Sequence, residues 1–220
     1  MQPLSSLHVY EDAVPRSAAA NMGLDEALLE SAPAPTLRFY GWRRASLSFG
    51  YFGRYADVAH EENEREIVRR WTGGGIVLHG TDLTYSVILP ARASEKLPPA
   101  RAIYAAIHDA IRRALVSAAP AALATADAPK RSDACFANPV VADVLVDGEK
   151  IAGAAQRRTR AGLLHQGSIQ FAALPPDFRK RFAAELCPSF EPKQLSGAIS
   201  ARAEELAARK YATAEWLRSR

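Results

Sequence analysis

Cysteine is scarce in this chain of 220 residues: Cys135 and Cys187 are the two present, far apart and in no CxxC pair. That spacing excludes the usual thiolate-rich zinc sites, and no metal-ligand set is expected. No apolar run reaches the ~18 residues that a membrane-crossing helix needs. The opening MQPLSSLHVYEDAVPRS lacks the basic start and apolar centre of a secretory signal. The expected compartment is therefore the cytoplasm, with reduced thiols and no membrane partner. No GK[ST] follows a glycine cluster, which excludes a Walker phosphate loop. Neither sign of charge dominates, and a net charge of +4 is too small a bias to imply nucleic-acid binding. Internal repeats and an obvious linker are lacking too, so residues 1–220 are expected to form one domain.

What is present reads as an ordinary globular chain, 48% apolar and 24% charged. Apolar residues at helical spacing predict a helix over residues 17–31, with Asp25, Glu26 and Glu30 mostly off the buried face. Strands are expected at 36–40, 45–49 and 83–89, and a second helix over 57–70, acidic early and ending in Arg69-Arg70. The longest helix is expected over 100–118, with His108 off its apolar stripe and at the surface. Residues 119–134 read as loop or broken strand, and helices are expected at 176–186 and 198–218. Together these predict an α/β (α+β) fold, a mixed and largely antiparallel sheet flanked by helices.

Two stretches carry more than packing. Thr72-Gly73-Gly74-Gly75 reads as a turn from helix into strand, the reverse of the strand-to-helix order of phosphate-binding loops. Backbone without side chains there would let a ligand lie against the chain itself, and His79 follows as a candidate cleft-lining residue. In the second stretch, residues 143–146 read as a strand that Asp147-Gly148 reverses. Lys150 then stands before the small residues Gly153, Ala154 and Ala155, which leave space above a cleft floor. A third apolar run, 163–171, carries His165.

RRWTGGGIVLHGTDLTYSVI, VDGEKIAGAAQRR with LLHQGSI, and the earlier NMGLDEALLE and LSFGYF occur in this order. Over roughly residues 21–171 they resemble the lipoate–protein ligase and lipoyl-protein octanoyltransferase family. The resemblance implies a fold of the biotinyl/lipoyl-ligase catalytic type and makes Tyr51 and Phe52 candidate walls of an acyl tunnel. It also makes Arg70, Gly73, Gly74, Gly75, His79, Asp143, Gly153 and His165 candidate substrate-binding residues. CFANPVVAD before GEKIAG resembles the cysteine-dependent octanoyltransferases, in which the matching Cys135 is the nucleophile. A nearby ammonium lowers a thiol pKa from about 8.5, and Lys150 is the candidate for that role and for oxyanion stabilisation.

The reaction so implied moves an octanoyl or lipoyl group from acyl carrier protein to Cys135 and then to a lysine of a lipoyl domain, with no cofactor. Arginines at 43–44, 69–70 and 157–160 would dock the acidic carrier or acceptor. The alternative is an ATP- and Mg²⁺-dependent lipoate ligase passing through lipoyl-AMP. In that case Lys150 and His165 contact the activated acyl group, Arg70 and Gly75 its surroundings, and Asp143 the nucleotide side, with an accessory polypeptide supplied by a partner. Asp143 and the triple glycine are ligase-like, whereas Cys135 is used only by the transferase. From other classes, a non-catalytic acyl- or biotin-binding module stays open, because a fold does not guarantee activity, whereas a cysteine hydrolase with His165 or His79 as base would leave Lys150 without a task.

Overall fold

The computed structural model describes residues 4–91, 97–116, 118–129 and 135–219. In chain order the first half comprises β1 (His8–Glu11), α1 (Ala18–Ser31), β2 (Thr36–Tyr40), β3 (Ser46–Phe49), β4 (Glu66–Arg69), β5 (Val77–His79), β6 (Leu83–Pro90) and α2 (Ala100–Ala114). The second half adds β7 (Ala121–Leu123), β8 (Val144–Val146), β9 (Glu149–Arg158), β10 (Gly162–Ile169), α3 (Phe178–Leu186), β11 (Glu191–Pro192), α4 (Gly197–Leu206) and α5 (Ala214–Leu217).

Eight strands form one sheet in the order β11-β1-β2-β6-β10-β9-β8-β7, and β4-β3-β5 form a smaller one. In the large sheet β1 runs parallel to both its neighbours, and the other pairings are antiparallel. This is the mixed, largely antiparallel sheet expected. Helices α2 and α3 cover one face, where Ile103, Ile107, Ile111 and Phe182 pack on Phe39, Tyr85, Val87 and Leu163. On the other face α1 lies against Ile88 and Leu164, with α4 outside it.

Helix α1 is capped by Ser17, whose Oγ accepts from the Ala20 amide at 3.3 Å. Being sandwiched, it buries residues that its pattern assigned to solvent: Asp25 is 0% and Glu26 6% exposed. Buried carboxylates need partners. Asp25 accepts from Arg38 (2.7 Å), Ser86 (2.6 Å) and Gln166 (2.7 Å), while Glu26 is held by Lys210 and Tyr211.

Three further expectations need correction. Residues 57–70 are not a helix: two 3-10 turns lead into β4, because Ile67 and Val68 pair alongside β3. The C-terminal helix is broken into α4, a π-helical turn (Ala207–Tyr211) and α5. Arg69 is fully buried, donating to the Trp216 and Leu217 carbonyls on one side and those of Tyr51 and Gly53 on the other. It ties the C-terminal segment to the loop beside the cleft. His108, finally, is wholly buried on the inner side of α2.

Candidate active site

Asp147 and Gly148 adopt φ of 51° and 82°, the double left-handed turn that reverses β8 into β9. Lys150 is the second residue of β9, opposite Leu145. Its side chain folds back over Gly153, where a Cβ would stand 2.4 Å from Cε and 2.7 Å from Nζ. The ammonium meets Asp143 Oδ2 at 2.8 Å and lies 5.4 Å from the centre of the Phe136 ring. Both partners of the ion pair are almost wholly buried.

Asp143 is itself clamped. Its Oδ2 also accepts the Val140 amide (2.8 Å), and its Oδ1 accepts the Tyr104 hydroxyl at 2.5 Å. The Tyr104 oxygen in turn accepts the Ala154 amide at 3.2 Å. Burial, then the neighbouring Asp143 charge, raise the Tyr104 pKa far above the ordinary phenol value, so it remains a donor. One helical turn on, His108 Nδ1 donates to the Ala142 carbonyl at 2.7 Å. Burial lowers its pKa to about 4 despite the nearby carboxylate, so the ring is neutral at pH 7.

The glycine turn runs from strand β4 to strand β5, not out of a helix. Arg70 shapes it, donating to the carbonyls of Gly73 (3.0 Å) and Gly75 (2.9 Å), and Gly74 takes a φ of 86° open to few other residues. The other end of the guanidinium donates to Ser48 Oγ at 2.7 Å. With that lone pair engaged, the Ser48 hydroxyl donates to His79 Nε2 (2.6 Å), and His79 Nδ1–H donates to Asp82 (2.8 Å). Burial lowers the His79 pKa, and Trp42 stacks on its ring at 4.0 Å.

Gly74 and Ala154 line three adjoining hollows. The first is a narrow, largely apolar cavity of about 30 Å³ walled by Met22, Trp42, His79, Ala155 and Gly167. A ligand entering it must be thin and must spread the walls. The second, about 620 Å³, is an open cleft that holds Lys150 beside Gly74, Gly75 and Tyr104. The third, about 550 Å³, extends along Tyr104 and Ala142 past Gly73.

The structure thus places Arg70, Gly73, Gly74, Gly75, His79, Lys150 and Gly153 on the walls of these adjoining hollows, with Asp143 buried behind Lys150 as its ion-pair partner. His165 lines none of these hollows: it is buried behind them, its Nδ1 accepting from Gln156 (3.0 Å) and its Nε2 donating to Tyr85 (3.2 Å). Neither Tyr51 nor Phe52 lines the narrow cavity. Tyr51 packs on Arg157 and Trp216, and Phe52 is 72% exposed at the cleft mouth. Arg69 and Arg70 are buried and so offer no docking charge. Cys135 opens a 3-10 turn, Cys135–Ala137, directly before Phe136. Its side chain, like residues 130–134, lies outside the described part. Sequence reading missed Tyr104, whose only signal was its i, i+4 spacing from His108 on a helix otherwise read for its aliphatic stripe.

The profile of the lipoyl protein ligase A/B catalytic domain matches residues 17–188. Octanoyltransferase LipM of Bacillus subtilis is 38% identical over 198 residues, covering 82% of this chain and 70% of that protein. The Brevibacillus brevis enzyme of the same name is 31% identical, covering 91% and 94%. Against the Oceanobacillus iheyensis octanoyltransferase LipM, 37% identical, the match covers 73% of this chain and 62% of the relative. Among solved structures, protein Ta0514 of T. acidophilum with bound lipoic acid superposes with a TM-score of 0.77 at 20% identity, over 99% of this chain and 100% of that one. A lipoate-protein ligase A bound with ATP gives 0.73 at 20% identity, over 97% and 98%. At these identities the structural likeness speaks for the fold.

Proposed function

The chain belongs to the family of lipoyl protein ligase A/B catalytic domains, and from that premise we propose that residues 1–220 act as one octanoyl- or lipoyl-transferring catalytic unit. Its acceptor is a lysine of a lipoyl domain, its donor an acyl thioester on acyl carrier protein, and its intermediate an acyl thioester on Cys135. The observation that carries this reading is a lysine ammonium, paired with Asp143, at the wall of a cleft that shares Gly74 and Ala154 with a thin apolar cavity. A slender acyl chain suits the narrow cavity and its thioester carbonyl the cleft. The Phe136 ring, one residue from Cys135, lies 5.4 Å from the ammonium. That proximity supports a thiolate stabilised by Lys150.

In the first step the Cys135 thiolate attacks the thioester carbonyl, Lys150 opposes the developing oxyanion, and the carrier leaves as its thiolate. In the second, the neutral amine of the acceptor lysine attacks the acyl-cysteine, the C–S bond breaks to release the Cys135 thiolate, and the proton that the nitrogen loses on forming the amide passes to solvent. Exchange between thioesters is nearly isoenergetic and amide formation is downhill, so no nucleotide is consumed. The exposed Phe52, Val140 and Val141 line the cleft and the hollow beside it and offer the carrier an apolar rim, and Arg158 and Arg160, exposed at and just after the end of β9, offer it positive charge. Octanoyl-carrier protein, a lipoyl domain and this protein, without ATP, should add one octanoyl mass to the acceptor; a strict requirement for ATP and free acid would replace this reading with the ligase.

A further inference from the structure

Helix α2 reaches the proposed reaction centre with one polar group. Tyr104 presents its hydroxyl between two elements, donating to Asp143 Oδ1 at 2.5 Å and accepting from the Ala154 amide at 3.2 Å. Ala154 lies just beyond the last pairing of β9 with β8, Val144 opposite Ala152. The hydroxyl therefore joins the end of that ladder to the carboxylate that holds Lys150. Asp143 has both oxygens occupied: Tyr104 on one, the Val140 amide and Lys150 Nζ on the other. The turn before it is held from the same helix, since Ala142 adopts a φ of 70° and its carbonyl accepts from His108.

A lysine on a flexible stem takes its position from whatever anchors its end. Gly153 supplies the space beneath Lys150, and Asp143 supplies the anchor. We propose that Tyr104 is a positioning residue for acyl transfer: acting through Asp143, it fixes the Lys150 ammonium where the thioester oxyanion develops. This rests on the transferase reading given above. It adds to that reading a residue of helix α2 whose effect on the ammonium is relayed by the Asp143 carboxylate.

Tyr104→Phe removes one oxygen and leaves the ring packed on His108 (4.1 Å) and His165 (5.6 Å), so the fold should hold. The test is a double-mutant cycle of Tyr104→Phe and Asp143→Asn, read in steady-state octanoyl transfer over a range of donor concentrations and in the ¹⁵N signal of the Lys150 ammonium. Tyr104→Phe should lower kcat at least about tenfold with the donor KM unchanged within about twofold. In the Asp143→Asn background it should lower kcat no further. A slowly exchanging Lys150 ammonium signal in the wild type should broaden in Tyr104→Phe. A near-wild-type kcat, effects that simply multiply, or an unchanged ammonium signal would each overturn the proposal. If the wild type transfers no octanoyl group, the transferase reading fails, and the ammonium signal alone decides the role of Tyr104.

Discussion

A lysine side chain loses up to about 2 kcal/mol of rotamer entropy when it is fixed, and its charge must find a partner when it is buried. Lys150 meets both demands locally, through Asp143 at 2.8 Å and the missing Cβ of Gly153. Gly153→Ala puts a methyl group 2.4 Å from Cε, so the lysine must leave its groove. Because the obstructed group is the mobile end of a side chain, the stability cost should stay within about 1–3 kcal/mol. Under the proposed mechanism transfer should fall at least about tenfold, since the displaced charge would no longer face the developing oxyanion. Thermal unfolding and acceptor acylation, measured on the same variant, check this; full activity in Gly153→Ala would show that the lysine need not occupy its observed groove.

The strands of the central unit were legible because period-two patterning, an Asp-Gly turn and small residues around a lysine leave local marks. The stretch at 57–70 was not, because its charges and length imitate a helix, and only pairing beside β3 makes Ile67 and Val68 a strand. Tyr104 and His108 were hidden for a related reason: a helix face is read from its aliphatic stripe, and their partners at 142–143 come from another element. Their burial has a measurable consequence at this scale. His108 of α2 faces Asp143, Lys150 and His165, and its pKa falls to about 4 chiefly through burial. His165 of β10 and His79 of β5 are lowered for the same leading reason. Unfolded histidines titrate near 6.5, so as pH falls below that value the unfolded chain binds protons the folded one refuses, and stability drops. For His108 the loss runs from about pH 6.5 to about pH 4 and totals about 3 kcal/mol. The urea midpoint should be clearly lower at pH 5 than at pH 7, and His108→Gln should flatten the slope; equal midpoints at the two pH values would contradict neutral buried rings.

Across the whole molecule, the large sheet sets Lys150 and Gly153 on β9, while the small sheet contributes Arg70's turn and His79. Cleft and narrow cavity form where the two meet, at Gly74 and Ala154. Arg69 locks the C-terminal segment onto the same junction through the carbonyls of Tyr51, Gly53, Trp216 and Leu217. An assembly arranged around one thin cavity and one charged cleft suits a reaction in which an acyl group is parked on the enzyme between two protein partners. An acyl group parked on the enzyme changes its intact mass. Incubation with octanoyl-carrier protein, without ATP, should add one octanoyl group to the enzyme, released by hydroxylamine, absent from Cys135→Ser and retained in Cys187→Ser. An unmodified wild-type enzyme, or a Cys135→Ser variant that remains fully active when ATP and free octanoate are supplied, would contradict the account.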